Sequence, residues 1–193
     1  MVFDIETAGK KFEDLDKTEQ EYLLNNLEKN EEDKEVAKTK TGLYSIFGQV
    51  CAIGAFNPHS KKGMVLVVSD KELKPEKENF VYKTFKNEKE LLIDFWKIAV
   101  DYEVFVTYNG DNFDFPYLII RSGINRVKVP FKVNRWKSER FVDLQNKIRQ
   151  NHGFKLEMLC KAFGIENPKE QGVRGDDVSK LFETKEFQKI ADY

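Results

Sequence analysis

Met1-Val2-Phe3-Asp4-Ile5-Glu6-Thr7-Ala8-Gly9 is the stretch on which the fold turns. Val2, Phe3 and Ile5 read as a short buried strand, with a glycine close behind to let the backbone turn. Side chains alternate across a strand, so Asp4 and Glu6 share one face while Ile5 points into the opposite layer. Two carboxylates side by side at the end of an apolar strand are unfavourable unless a positive group lies between them. A hard divalent cation such as Mg²⁺ fits that role, since it prefers a few carboxylates completed by water and phosphate. The alternative is an edge strand carrying two solvated acids.

Working outward, the 193-residue length suits a single domain spanning 1–193 with a sizeable core. Apolar residues make up 40% and aromatics 13%, which points to a folded globule, and the 34% charged content to a soluble one. No run approaches the length of a membrane span, and no basic-then-apolar leader opens the sequence. The chain is therefore expected in the cytoplasm, with no membrane partner. Cys51 and Cys160 both sit in apolar surroundings and read as core thiols of a reducing compartment. No Cys/His cluster has zinc-ligand spacing. A net charge of −1 gives no global pull toward nucleic acid, so any such binding must come from a local patch.

Between Lys10 and Thr41 the composition shifts to ten acids and seven lysines. Thr18-x-x-Glu21 has the form of a capping box, and Tyr22, Leu23, Leu24 and Leu27 follow at near-helical spacing. This predicts a charged helical insertion at about 10–41: a helix over about 18–29 and then a mobile charged stretch to about residue 40. Gln49–Phe56 and Gly63–Ser69 are apolar, β-branched runs joined by Asn57-Pro58, a pattern that predicts an antiparallel hairpin. Asn87 with Glu90 predicts a helix cap, and Leu91, Leu92, Phe95, Trp96 and Ala99 mark one face of a helix ending near 101. Glu103–Tyr108 reads as a buried parallel strand, reached through a right-handed βαβ crossover. The fold class is α/β, a mixed central sheet with flanking helices.

A second constellation follows that strand: Tyr108-Asn109-Gly110-Asp111-Asn112-Phe113-Asp114-Phe115-Pro116-Tyr117-Leu118. Asn-Gly turns the chain, and Pro116 suits the first turn of a helix running on to Arg121. Asp114 then lies near a helix N-terminus, where a carboxylate serves equally as a cap. Functionally, it would face Asp4 and Glu6 from the neighbouring strand end, where ligands of open α/β sheets collect.

Val2-Phe3-Asp4-Ile5-Glu6-Thr7 resembles the first motif of the DEDD superfamily of 3′–5′ exonucleases, which have the ribonuclease H-like fold. Asn109-Gly110-x-x-Phe113-Asp114-x-Pro116-x-Leu118 resembles the second, in the form seen in family B DNA polymerase proofreading domains and their stand-alone relatives. Asp143-Leu144, Lys155-Leu156-Glu157-x-Leu159 and Phe163-Gly164-Ile165 resemble the segment that precedes the third motif. The resemblance spans the chain outside the 10–41 insertion. It implies 3′–5′ exodeoxyribonuclease activity on single-stranded DNA ends, with DNA and RNA undistinguished by the residues themselves. Asp4, Glu6 and Asp114 would hold two Mg²⁺ or Mn²⁺ ions about 4 Å apart. In the tyrosine branch, Tyr193 would hydrogen-bond the attacking water. The fourth metal carboxylate would fall four residues past Tyr193, and the chain is expected to lack it. His152 does not fit the histidine branch, since Glu157 stands where an Asp is required.

Arg121 to Lys155 carries ten Lys/Arg against Glu139 and Asp143, interleaved with Phe131, Trp136, Phe141 and Phe154. Cations for phosphates and aromatic faces for bases are what a single-strand groove requires. Arg121, Arg135, Trp136 and Lys137 are the candidates here, joined through the resemblance by Thr7, Asn109 and Phe113. For Phe141 and Phe154, inward packing is the expected role. A non-catalytic nucleic-acid-binding module on the same fold is the alternative function. Nothing in the sequence specifies a protein partner.

Overall fold

The computed structural model describes residues 1–27, 31–130, 139–148, 153–165 and 173–193. Its centre is strand β1, Val2–Gly9, where Phe3 and Ile5 are buried while Asp4 and Glu6 face the other way. Hydrophobic alternation thus sets the strand's orientation and delivers both acids to one face. Strands β2 (Gly48–Asn57) and β3 (Lys62–Val68) form the expected antiparallel hairpin, and β2 pairs antiparallel with β1. Strand β5 (Phe105–Thr107) is parallel to β1 and lies inside the sheet, as expected.

Strands β4 (Phe80–Phe85) and β6 (Phe141–Asp143) complete a mixed six-stranded sheet of order β4-β3-β2-β1-β5-β6. The sequence pattern had not marked either as a strand. In β4 no residue is fully buried, because it forms the sheet edge and gains order from its parallel pairing with β3. In β6 only three residues pair, too few for a period to register.

Helices α3 (Glu88–Ala99) and α4 (Asp114–Ile124) cover one face. Asn87 caps α3 as expected, its side chain accepting from the Glu90 amide at 3.0 Å. Aromatic rings key α4 to the sheet. Phe115 meets Phe3 edge-on at 5.2 Å and Phe141 edge-on at 4.5 Å. Because Phe115 follows Asp114, those contacts fix the second motif against β1. The other face is covered by α7 (Val178–Glu183) and α8 (Phe187–Asp192), which bury Val178, Phe187, Ile190 and Ala191 against Cys51, Ala52, Val65 and Val67.

The insertion is more ordered than its composition predicts. Helix α1 runs over Lys17–Tyr22 and passes into a π-helical turn at Leu23–Leu27. Its capping box is Asp16 with Glu19, two residues ahead of the expected Thr18 and Glu21. Asp16 wins because its extended backbone directs the carboxylate at the Glu19 amide. The charged stretch that follows, expected to be mobile, forms helix α2, Glu31–Thr39, with Lys34–Glu31 and Lys38–Glu35 ion pairs on its surface. Ala37 anchors it in a small core with Leu15, Leu23 and Phe47. Tertiary burial overrides the charge density here.

Helices α5 (Leu144–Ile148) and α6 (Leu156–Phe163) follow β6. No helix among the described residues is long and apolar enough to cross a membrane.

Candidate active site

Asp114 is the first residue of α4 and only 2% exposed. Strands β1 and β5 pair at Val2–Val106, and a little further along the Ile5 amide donates to Asp114 Oδ1 at 3.2 Å. A helix N-terminus thereby inserts a carboxylate beside β1. Burial, then the neighbouring Asp4 charge, then a hydrogen bond between the two carboxyls push the Asp114 pKa from 3.8 up to about 8. Two carboxyls joined in this way share a proton. Oxygen donors of like charge held together are a set that a hard divalent cation fits, since the cation displaces the proton and cancels the repulsion. Glu6 lies two residues along β1 on the same face, half-buried. Among the described residues no group of three or more His, Cys, Asp or Glu side chains is gathered closely enough to hold a metal. The close set is the Asp4–Asp114 pair.

The loop leading to Asp114 is shaped by a residue whose part the sequence did not disclose. Asp143, at the end of β6, is 3% exposed. Its Oδ1 accepts from the Asn109 amide at 2.9 Å and its Oδ2 from the Asp111 amide at 3.2 Å. It also accepts from the Gln145 amide at 2.9 Å and from Asn146 Nδ2 at 3.1 Å. Asn109 adopts a left-handed φ of 66°, and Gly110 follows where a Cβ would stand 2.1 Å from Thr107 Oγ1. Asn-Gly is therefore required by geometry as well as by turn chemistry.

On the acid-bearing face, Asp4 and Glu6 line a cavity of about 240 Å³ shared with Asp192, Tyr193, Tyr82 and Lys77. Helix α8 forms its roof. Tyr82 Oη donates to Asp192 Oδ1 at 2.8 Å, latching α8 to β4, and within α8 Gln188 Nε2 donates to the same carboxylate at 2.9 Å. Tyr193, just past α8, thus shares a wall with both strand acids. Between Glu6 and Thr7 the β1–β2 register shifts, leaving Cys51 as an extra residue on β2. The buried Cys51 thiol, its pKa raised by burial, donates to the Glu6 carbonyl at 3.3 Å. Such a bulge re-aims side chains beside a site.

Residues 1–160 match the family described as DNA polymerase family B, exonuclease domain. The chain belongs to that family. It is 34% identical over 82 residues to DNA polymerase 1 of Sulfurisphaera ohwakuensis, covering 41% of this chain and 9% of that protein. It is 50% identical over 44 residues to a DNA polymerase of Methanocaldococcus jannaschii, covering 23% of this chain and 3% of that polymerase. The chain thus matches only a small part of the length of these curated relatives. The mixed sheet with helices on both faces is consistent with the ribonuclease H-like fold of the family B exonuclease domain.

Within this exonuclease domain the expected nucleic-acid contacts divide. The guanidinium of Arg121 forms a buried ion pair with Glu88 at 2.7 Å and donates to the Ser45 carbonyl at 3.0 Å. Glu88 also accepts from the Val50 amide at 2.7 Å and Asn125 Nδ2 at 2.7 Å, so the arginine serves the junction of α3, α4 and β2. Thr7 is buried, and its hydroxyl is hydrogen-bonded to Tyr117, itself donating to the Gly42 carbonyl at 2.8 Å. Asn109 Oδ1 accepts from Asn112 Nδ2 at 2.9 Å, a bond that closes its own turn. Phe113 is half-buried and packs on Tyr117 with ring centres 5.4 Å apart. Phe141 packs inward as expected, whereas Phe154 is 44% exposed, against expectation. Arg135, Trp136 and Lys137 lie outside the described residues.

Proposed function

We propose that this chain is a metal-dependent 3′–5′ exonuclease that hydrolyses the terminal phosphodiester bond of single-stranded DNA 3′ ends. The observation that carries the reading is the buried Asp114 carboxyl, held by the Ile5 amide against β1 beside Asp4, which with Glu6 lines the cavity on the acid-bearing face. Membership of the family B exonuclease domains supports it, as does kinship with two proteins named DNA polymerases. The polymerase kinship favours DNA over RNA.

Asp4 and Asp114 would hold the divalent ion, with Glu6 as the third carboxylate on the same face. Bound Mg²⁺ or Mn²⁺ supplies an activated hydroxide near neutral pH and neutralises charge on the scissile phosphate, the chemistry of a two-ion site. On loading, Asp114 would give up the proton of its hydrogen bond to Asp4 and bind as the carboxylate. The Ile5 amide holds its carboxylate in place, and Phe115 keeps the helix that carries it from shifting. Tyr193 would orient the attacking water through its hydroxyl, a task a phenol performs without adding charge.

A 5′-labelled single strand incubated with the chain and Mg²⁺ or Mn²⁺ tests this. The expected product is a ladder shortening from the 3′ end, abolished by chelation. Asp4→Asn and Asp114→Asn should each slow it about a hundredfold or more, the scale of losing one group that stabilises the transition state. A ladder of equal rate in both variants would remove the carboxylate pair from the mechanism.

A further inference from the structure

Three cross-strand rows run over the acid-bearing face. One is Asp4–Gly54–Val65–Tyr82, flanked by Val2–Phe56–Gly63–Phe80 and Glu6–Ala52–Val67–Thr84. Each flanking position is filled by a side chain except Gly63, whose space is taken by the Phe80 ring: a Cβ there would stand 2.3 Å from Phe80 Cε1. Gly54 is different. Its φ is not in the left-handed region, and among the described residues a Cβ built on it meets nothing within 4 Å. Glycine weakens a strand interior, so neither backbone nor packing accounts for it. What its missing side chain leaves is the floor of the 240 Å³ cavity, running from Asp4 past Val65 to Phe80 and Tyr82, with Lys77 also on its wall. Phe80 is backed by Phe56, stacked at 6.1 Å and 15°.

We propose that Gly54 determines specificity by keeping open a compartment beside the carboxylates that takes the ring of one nucleobase, carried on a nucleotide whose phosphate lies toward Asp4. This rests on the exonuclease reading for the identity of the ligand. The shape supports a single nucleotide: the cavity is smaller than the roughly 300–1,000 Å³ of typical ligand pockets. Its apolar floor and its aromatic wall at Phe80 suit a base's faces. Asp4 and Glu6 at one end, and Lys77 with Glu76 and Asp192 elsewhere on the wall, supply polar partners at the rim.

The test is binding of deoxyadenosine and deoxycytidine 5′-monophosphates, in Mg²⁺, to the wild-type chain, Gly54→Ala and Gly54→Val. Both variants should fold with a Tm equal to or above wild type, since the added atoms enter open space. Gly54→Ala should weaken the purine nucleotide more than the pyrimidine, and Gly54→Val should weaken both by about tenfold or more. The Mn²⁺-induced rise in Tm serves as the control for Asp4, the cross-strand neighbour of Gly54, and should be unchanged in Gly54→Ala. Equal affinities across all three chains would overturn the proposal, as would loss of nucleotide binding in step with loss of the metal response. A wild-type chain that binds the nucleotides in this pattern yet leaves the labelled strand intact would defeat the exonuclease reading and leave the compartment standing. Ladder formation with equal nucleotide affinity in every variant would do the reverse.

Discussion

Burial and the neighbouring Asp4 charge push the Asp114 carboxyl well above the usual carboxylate range. Its folded pKa of about 8 lies above the value of 3.8 it takes when free of burial and of Asp4. The folded chain therefore binds the proton more tightly, and the contribution to stability is fully present below about pH 4 and lost as pH rises toward 8. Without metal, urea melts should show stability falling over this window, and Asp114→Asn should flatten that component. An unaltered pH slope in the variant would contradict the shared-proton geometry. Asp143 makes a second prediction. Removing its carboxylate orphans the Asn109 and Asp111 amides, so Asp143→Ala should destabilise by about 2–6 kcal/mol, at about 1–3 kcal/mol for each unsatisfied donor. It should also weaken the metal response, because the loop that delivers Asp114 loses its anchor. Asp114 was legible in the sequence through its motif and its place after a strand. The role of Asp143 was not, since the Asn109 and Asp111 amides it holds lie more than thirty residues away along the chain.

At the scale of elements, α4 is fixed at both ends by different means. Phe115 sets its start against β1, and the Arg121–Glu88 pair binds its last turns to α3. The guanidinium is 13% exposed and Glu88 4%, so breaking the pair leaves an uncompensated buried charge. Arg121→Ala should accordingly cost about 3–5 kcal/mol in denaturant unfolding, while Arg121→Met with Glu88→Gln should recover much of it. If Arg121 instead touched DNA phosphates, its removal would lower the salt slope of binding by about one with little effect on stability. The same scale shows where periodicity misleads. Helix α2 carries charges that read as unstructured, yet one small residue, Ala37, docks it into a local core. Strand β4 carries too little buried surface to announce itself, because only one of its edges is paired.

Across the whole molecule, metal binding should appear as stability. A divalent ion that binds only the folded chain adds about 2.7 kcal/mol at a hundred times its Kd. For a domain of this size that corresponds to a rise in Tm of about 5–10 °C. Mg²⁺ or Mn²⁺ should produce such a shift in thermal melts, and Asp4→Asn or Asp114→Asn should remove most of it. A full shift in both variants would place the metal elsewhere. The sequence by itself determined which face of β1 carries acid, because period-two alternation is a local property of Phe3, Asp4, Ile5 and Glu6. It likewise determined the hairpin, the Asn87 cap and the turn before Asp114, each written within a few residues. Only the tertiary structure decided that Asp4 and Asp114 share a proton, that Arg121 is spent on Glu88, that Asp143 holds the second loop, and that Gly54 leaves a floor beneath α8. Those outcomes depend on which distant groups exclude water from one another, and burial is a property of the packed chain rather than of any segment.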